Sequence, residues 1–147
     1  MTDRNILQFS LSLDDIQISD QAQNFEFSQG LNDIQKQSLR CGYVDALAIE
    51  NMIYVIEEIL EKIHIDHKIQ HYAQTSDMFI KELSAIFFNS DMCIDQIKLE
   101  HAFNEFIEHT EYYVNKVGDE KIHLFIYFVF IREMMHHLNI IEIDILP

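Results

Sequence analysis

Three Glu-x-x-His pairs have the spacing to do chemistry: Glu61 with His64, Glu120 with His123, and Glu133 with His136. The tetrapeptide EKIH occurs twice, at 61–64 and 120–123, and the first copy opens the run EKIHIDHKIQH, which adds His67 and His71. On a helix this spacing puts a carboxylate and an imidazole on one face, one turn apart. Di-iron carboxylate bundles use two such pairs with two further carboxylates. Glu61, His64, Glu120 and His123 are therefore a candidate metal set, with Asp77 and Glu111 available at the same end of an up-down bundle.

Helical geometry argues against that set. At 100° per residue, Glu50, Glu57, Glu61 and His64 fall on one line about 110° from the centre of their apolar stripe, at its boundary and not inside it. Glu120 falls in a first helical turn, where the dipole favours an acid regardless of any metal. Glu133 and His136 fall at the far end of the same helix. The pairs His67/His71 and His101/Glu105, at i and i+4, read as solvated faces with weak pairing. Metal binding by a helical-bundle enzyme or sensor is thus the alternative reading, and the leading one has no cofactor.

Other catalytic patterns are missing. There is no Gly-x-Ser-x-Gly, and glycines at 30, 42 and 118 alone leave no glycine-rich loop to cradle a phosphate. Asp14-Asp15 and Glu57-Glu58 read as solvated acids. Cys41 and Cys93 form no Cys-x-x-Cys pair and suit a reducing cytosol. The expectation is a cytoplasmic protein that is not an enzyme.

Charge supplies the leading functional reading. Twenty-five acids against ten Lys and Arg give a formal net charge of −15. Such a field repels nucleic acid and anionic lipid and attracts basic proteins. Two acidic ridges are candidate partner-binding surfaces: Glu100, Glu105, Glu108 and Glu111 edged by Tyr112, and Glu57, Glu58 and Glu61. The bland counterpart is an ordinary solvated exterior. The combination predicts an immunity protein or antitoxin covering the basic cleft of a nuclease-type toxin. A secretion chaperone holding a basic effector is a second alternative. A homodimer or structural oligomer joined through the strand Ile140–Leu146 is a third.

The elements that must carry these residues are mostly helical. Three glycines and one terminal proline favour long helices. Apolar spacing predicts helices over 32–41, 43–65, 76–89, 96–116 and 119–138, with Ser76 or Asp77 capping the third and a loop at 90–95. The last is apolar nearly all round over "IHLFIYFVFI", too short a run to span a bilayer, and belongs at the centre of the fold. Alternation predicts strands at 6–13, 24–28 and 140–146. The expected architecture is a single domain of residues 1–147: a compact, mainly α helical bundle around that C-terminal helix, with room for a small sheet from the two ends.

Overall fold

The computed structural model describes residues 5–39, 42–118 and 121–147. Six strands and six helices follow in the order β1 (Ile6–Leu11), β2 (Ile16–Ser19), β3 (Asn24–Phe27), α1 (Leu31–Ser38), α2 (Ala46–Leu60), β4 (His71–Thr75), α3 (Met78–Phe87), β5 (Cys93–Asp95), α4 (Gln96–Glu108), α5 (Thr110–Val117), α6 (Ile122–His137) and β6 (Ile140–Ile145). The strands form one mixed sheet in the order β3-β2-β1-β4-β6-β5. β1–β2–β3 is an antiparallel meander, β4 and β6 run parallel to β1, and β5 closes the far edge antiparallel to β6. This is an α/β fold, and the expected mainly helical bundle is wrong.

Strand alternation decides the layers. Leu7, Phe9 and Leu11 of β1 are buried while Ile6, Gln8 and Ser10 are exposed. The crossovers β1-to-β4 and β4-to-β6 step in the same direction across the sheet. Connections of one hand then place their helices on one face. The opposite face carries Gln8, Gln17, Glu26, Tyr72, Gln74, Glu142 and Asp144.

The apolar C-terminal helix does lie at the centre. Eleven of the sixteen residues of α6 are buried, including every one from Leu124 to Ile131. It touches α1, α2, α3, α4 and β6. Phe106 stacks on Phe125 at 5.2 Å, and Phe87, Phe103 and Phe128 surround them edge-on or tilted. The strand Ile140–Ile145 is an interior strand between β4 and β6's other neighbour β5, so both its edges are already paired. A dimer joined through it has no free edge to use. Among the described residues, no helix is long and apolar enough to cross a membrane.

One glycine fixes how the meander meets the helices. The amides of Leu31 and Asn32 donate to the Ser12 and Leu13 carbonyls at 3.0 Å each, which seats the start of α1 on the β1–β2 turn. A Cβ on Gly30 would lie 2.5 Å from the Leu13 carbonyl carbon and oxygen and from the Ser12 oxygen. These are backbone atoms of a paired turn and cannot swing aside. Gly30→Ala is expected to cost about 2–3 kcal/mol, the upper part of the range for overpacking. Urea denaturation followed by far-ultraviolet circular dichroism measures it, and a variant as stable as the parent would show that the turn yields freely.

Candidate functional site

The strand order reverses direction between β1 and β4. The chain leaves β1 toward β2 and β3, then returns to place β4 on β1's other side. In open α/β sheets the crevice outside the carboxyl ends of the strands at such a point is where ligands bind. Here those ends are Leu11 of β1 and Thr75 of β4, with Asp77 two residues beyond.

Asp77 occupies the N-cap of α3 but does not cap it with its side chain. Its Oδ2 accepts instead from the Leu11 amide at 3.0 Å and from the Tyr127 hydroxyl at 2.8 Å. The carboxylate thus ties β1, the β4–α3 junction and α6 together, while the first turn of α3 has no side-chain cap. Burial raises the Asp77 pKa above the ordinary carboxylate value, outweighing the lowering by Leu11, Tyr127, Thr75 and Ser10. Tyr127 is fully buried, and burial with the facing Asp77 charge drives its pKa well above 10. Tyr127 is therefore a fixed donor to Asp77 and not a second acid.

A second polar chain approaches from the meander. Asn32 Nδ2 donates to Asp14 Oδ1 at 3.3 Å, which turns its Oδ1 toward His123 Nε2 at 2.9 Å. With that amide orientation His123 Nε2 must carry the hydrogen and donate. Desolvation lowers the His123 pKa, so the neutral ring is favoured. Ser12 and Asp15 close the turn below, with Ser12 Oγ donating to Asp15 Oδ1 at 2.7 Å.

The Glu-x-x-His residues do not converge. Glu61 is the C-cap of α2, His64 lies in the exposed segment after it, and His123 is bound to Asn32. Glu120 lies outside the described residues. Among the described residues, none of Glu61, His64 or His123 belongs to a three-ligand cluster. EKIHIDHKIQH itself is not one helix: α2 ends at Leu60, His67 is exposed in a turn, and His71 opens β4 with Nδ1 2.9 Å from the Leu138 carbonyl oxygen.

The acidic ridges are partly dismantled. Glu57, Glu58, Glu105, Glu108, Glu111 and Tyr112 are exposed. Glu100 is not a free charge, because Arg132 Nε reaches it at 3.1 Å and His136 Nε2 at 2.5 Å. The helix expected over 96–116 also breaks at His109, which moves Glu111 and Tyr112 onto the separate helix α5.

Among the described residues, two clusters have convergent ligand atoms: Glu105, Glu108 and His109, all exposed, and Cys93, Glu142 and Asp144 on the open sheet face. In the second, Cys93 faces Asp144 across the strands, and Asp95 faces Glu142. Burial, Asp144 and Glu142 push the Cys93 thiol up to about 11. At pH 8 its thiolate is then roughly a hundredfold scarcer than that of an ordinary cysteine. Iodoacetamide is expected to label Cys93 at least ~10-fold more slowly than a cysteine in an unstructured peptide, and Asp144→Asn with Glu142→Gln to speed it. Site-resolved mass spectrometry separates Cys93 from Cys41. Labelling at the peptide rate would refute the pairing.

No family model matches the chain, and no curated protein does. Solved structures do. Over 98% of its length the chain superposes on crystal structures of the Aquifex aeolicus Ppx/GppA phosphatase, described as a type II variant (TM-score 0.72, 8% identity) and as the Ppx/GppA family member (0.72, 8%). A third, of the Aquifex aeolicus PPX-GPPA enzyme, gives 0.71 at 7%. The fold is that of Ppx/GppA phosphatase structures. The chain spans about half of each, 53%, 54% and 52% in the order 0.72 type II, 0.71 and 0.72. An immunity protein or antitoxin, and the non-enzyme reading with it, gives way to this finding: the sheet and its switch point match an architecture found in enzymes.

Sequence reasoning missed Tyr127 as a site residue and weighed Asp77 only as a helix cap or an extra metal ligand. Asp77 looked like a helix cap and Tyr127 like core. Asp14 looked merely solvated. The available signal was a polar strand end, Thr75-Ser76-Asp77, directly ahead of an apolar helix.

Proposed function

We propose that this chain supplies the substrate-facing lobe of a phosphate ester or phosphoanhydride hydrolase, with Asp77 orienting and deprotonating the attacking water. The observation that carries the reading is Asp77 itself, held at the switch point by the Leu11 amide and the Tyr127 hydroxyl and turned away from its own helix. A raised pKa makes that carboxylate a better proton acceptor than an ordinary one. The uncapped first turn of α3 offers amides and a dipole suited to an anionic oxygen. Asp14 and Asp15 in the turn after β1 and the net charge of −15 disfavour a bare phosphate, so the substrate arrives as its Mg²⁺ complex, with part of its charge neutralised. The reducing cytosol is the setting that suits its two cysteines.

The test is phosphate release by the full chain from a panel of phosphomonoesters and inorganic tripolyphosphate, with and without MgCl₂. Saturable, Mg²⁺-dependent release supports the assignment. Release no faster than in enzyme-free controls across the panel would remove it.

A further inference from the structure

We propose that the groove between the start of α2 and the α4–α5 junction docks a short amphipathic protein segment that presents aliphatic side chains flanked by Lys or Arg. The groove encloses about 520 Å³. Its apolar surface comes from Val44, Ile107, Val114 and Tyr43, of which Tyr43 is 56% and Ile107 43% exposed. Large apolar side chains grouped in a concavity are more than the scattered exposure normal for a soluble surface.

Charge chooses the occupant. Asp45, Glu108 and Glu111 stand on the rim, and no Lys or Arg is among the described residues that line the groove. An acidic segment or an anionic lipid would meet three carboxylates there. A second copy of this chain would bring its own charge of −15 against the same rim. A basic amphipathic segment satisfies both parts at once: the rim carboxylates steer it in, and the aliphatic side chains gain from burial.

The far wall is built to adjust. No residue of α5 is fully buried. It is anchored through Tyr113, whose ring lies 4.8 Å from that of Phe87, and through half-buried Val114 and Val117. Helices with few buried contacts open at low free energy, and a bound segment that packs on Val114 would order them.

The probe is a fluorescent synthetic peptide of Leu and Lys at helical spacing, followed by anisotropy at physiological ionic strength. The controls are a scrambled peptide of the same composition and a Leu/Glu peptide of the same pattern. Glu108→Lys with Glu111→Lys, and separately Tyr43→Ser with Ile107→Ser, are each expected to weaken binding at least tenfold. Amide exchange of residues 110–117 should slow in the complex. Equal binding of the scrambled peptide would mean attraction by net charge alone and would overturn the proposal. So would undiminished binding by either double variant, with circular dichroism confirming that both fold, or protection confined to the open sheet face.

Discussion

Asp77→Asn is expected to lower kcat for phosphate release by two orders of magnitude or more while raising stability at neutral pH. The catalytic loss follows from removing a general base, which typically contributes ~10²–10⁴ in rate. The stability gain follows from linkage. The Asp77 pKa is raised in the folded protein, so the fold favours the protonated carboxyl. That contribution is complete below the unfolded pKa, near 3.8, and is lost as pH rises through the higher folded value. At pH 7 the ionised group therefore strains the fold. Asn removes the charge and keeps an oxygen to accept from Leu11 and Tyr127. The Tm advantage of Asp77→Asn over the parent should be largest near pH 7 and shrink toward zero at pH 4 and below. Asp77→Ala must behave differently, because it strands the Leu11 amide and the buried Tyr127 hydroxyl, at about 1–3 kcal/mol for an unsatisfied group. Parental kcat in Asp77→Asn would reject Asp77 as the base, whereas a flat Tm difference between pH 4 and pH 7 would reject the electrostatic account alone.

Arg132→Met is expected to destabilise the fold by about 3 kcal/mol. Arg132 holds Glu133 through Nη1 at 2.6 Å and Glu100 through Nε at 3.1 Å, and its guanidinium lies 5.0 Å from the centre of the Phe103 ring. Glu133 is 6% exposed. Removing one partner of a buried pair leaves the other charge uncompensated, at ~3–5 kcal/mol; the partial exposure of Arg132 puts this case at the lower end. Replacing the pair together, Arg132→Met with Glu133→Leu, should recover most of the loss. Urea titration of the three variants tests this, and a double variant no better than Arg132→Met would show that packing and not charge is at stake. Acid should act on the same cluster. Burial tends to raise the Glu100 pKa, but the bonds from Arg132 and His136 bring it below 4.5. The stability it supplies is present above pH 4.5 and lost as pH falls through its lower folded value.

Much of the local structure was legible in the residues, and the architecture was not. Alternation located β1 and β6, weak alternation located β3, and apolar spacing located the helices, although the one expected over 43–65 stops at Leu60 and the one expected over 96–116 is two. The missing strands had physical reasons. β4 turns His71, Ala73 and Thr75 inward, so its buried side carries no hydrophobic stripe. β5 has three residues, too few for a period to show, and β2 offers only Ile16 and Ile18, a pair too short to stand apart from the turns on either side. The break between α4 and α5 needs no glycine or proline: His109 leaves helical geometry, and Thr110 Oγ1 donates back to the Phe106 and Ile107 carbonyls. Without β2, β4 and β5 the remaining strands looked like an accessory to a bundle.

The site was harder, because its connections are distant in the chain. Asp77 does stand at a helix start, as its neighbours suggested, but what it binds is Leu11, 66 residues away, and Tyr127, 50 away. His123 was read through Glu120, three residues away. Its partner is Asn32, 91 residues away. A spacing rule sees only one helix face. These contacts depend on which strands become neighbours.

The interior position of β6 also governs assembly on the ribosome. The meander of residues 6–27 is built from nearby segments and can form as soon as it emerges. β4 then has only β1 beside it, and β5 has no neighbour at all until residues 140–145 are made. Throughout that interval the nascent chain shows an unfinished sheet edge, and α1 to α4 lack the central apolar helix they pack on until residues 122–137 are made. Sheets joined by such long-range pairings fold slowly and expose sticky intermediates. A high density of negative charge keeps such growing chains apart, and this one carries it: the acidity that first suggested a basic partner also serves a sheet that closes only when β6 is made.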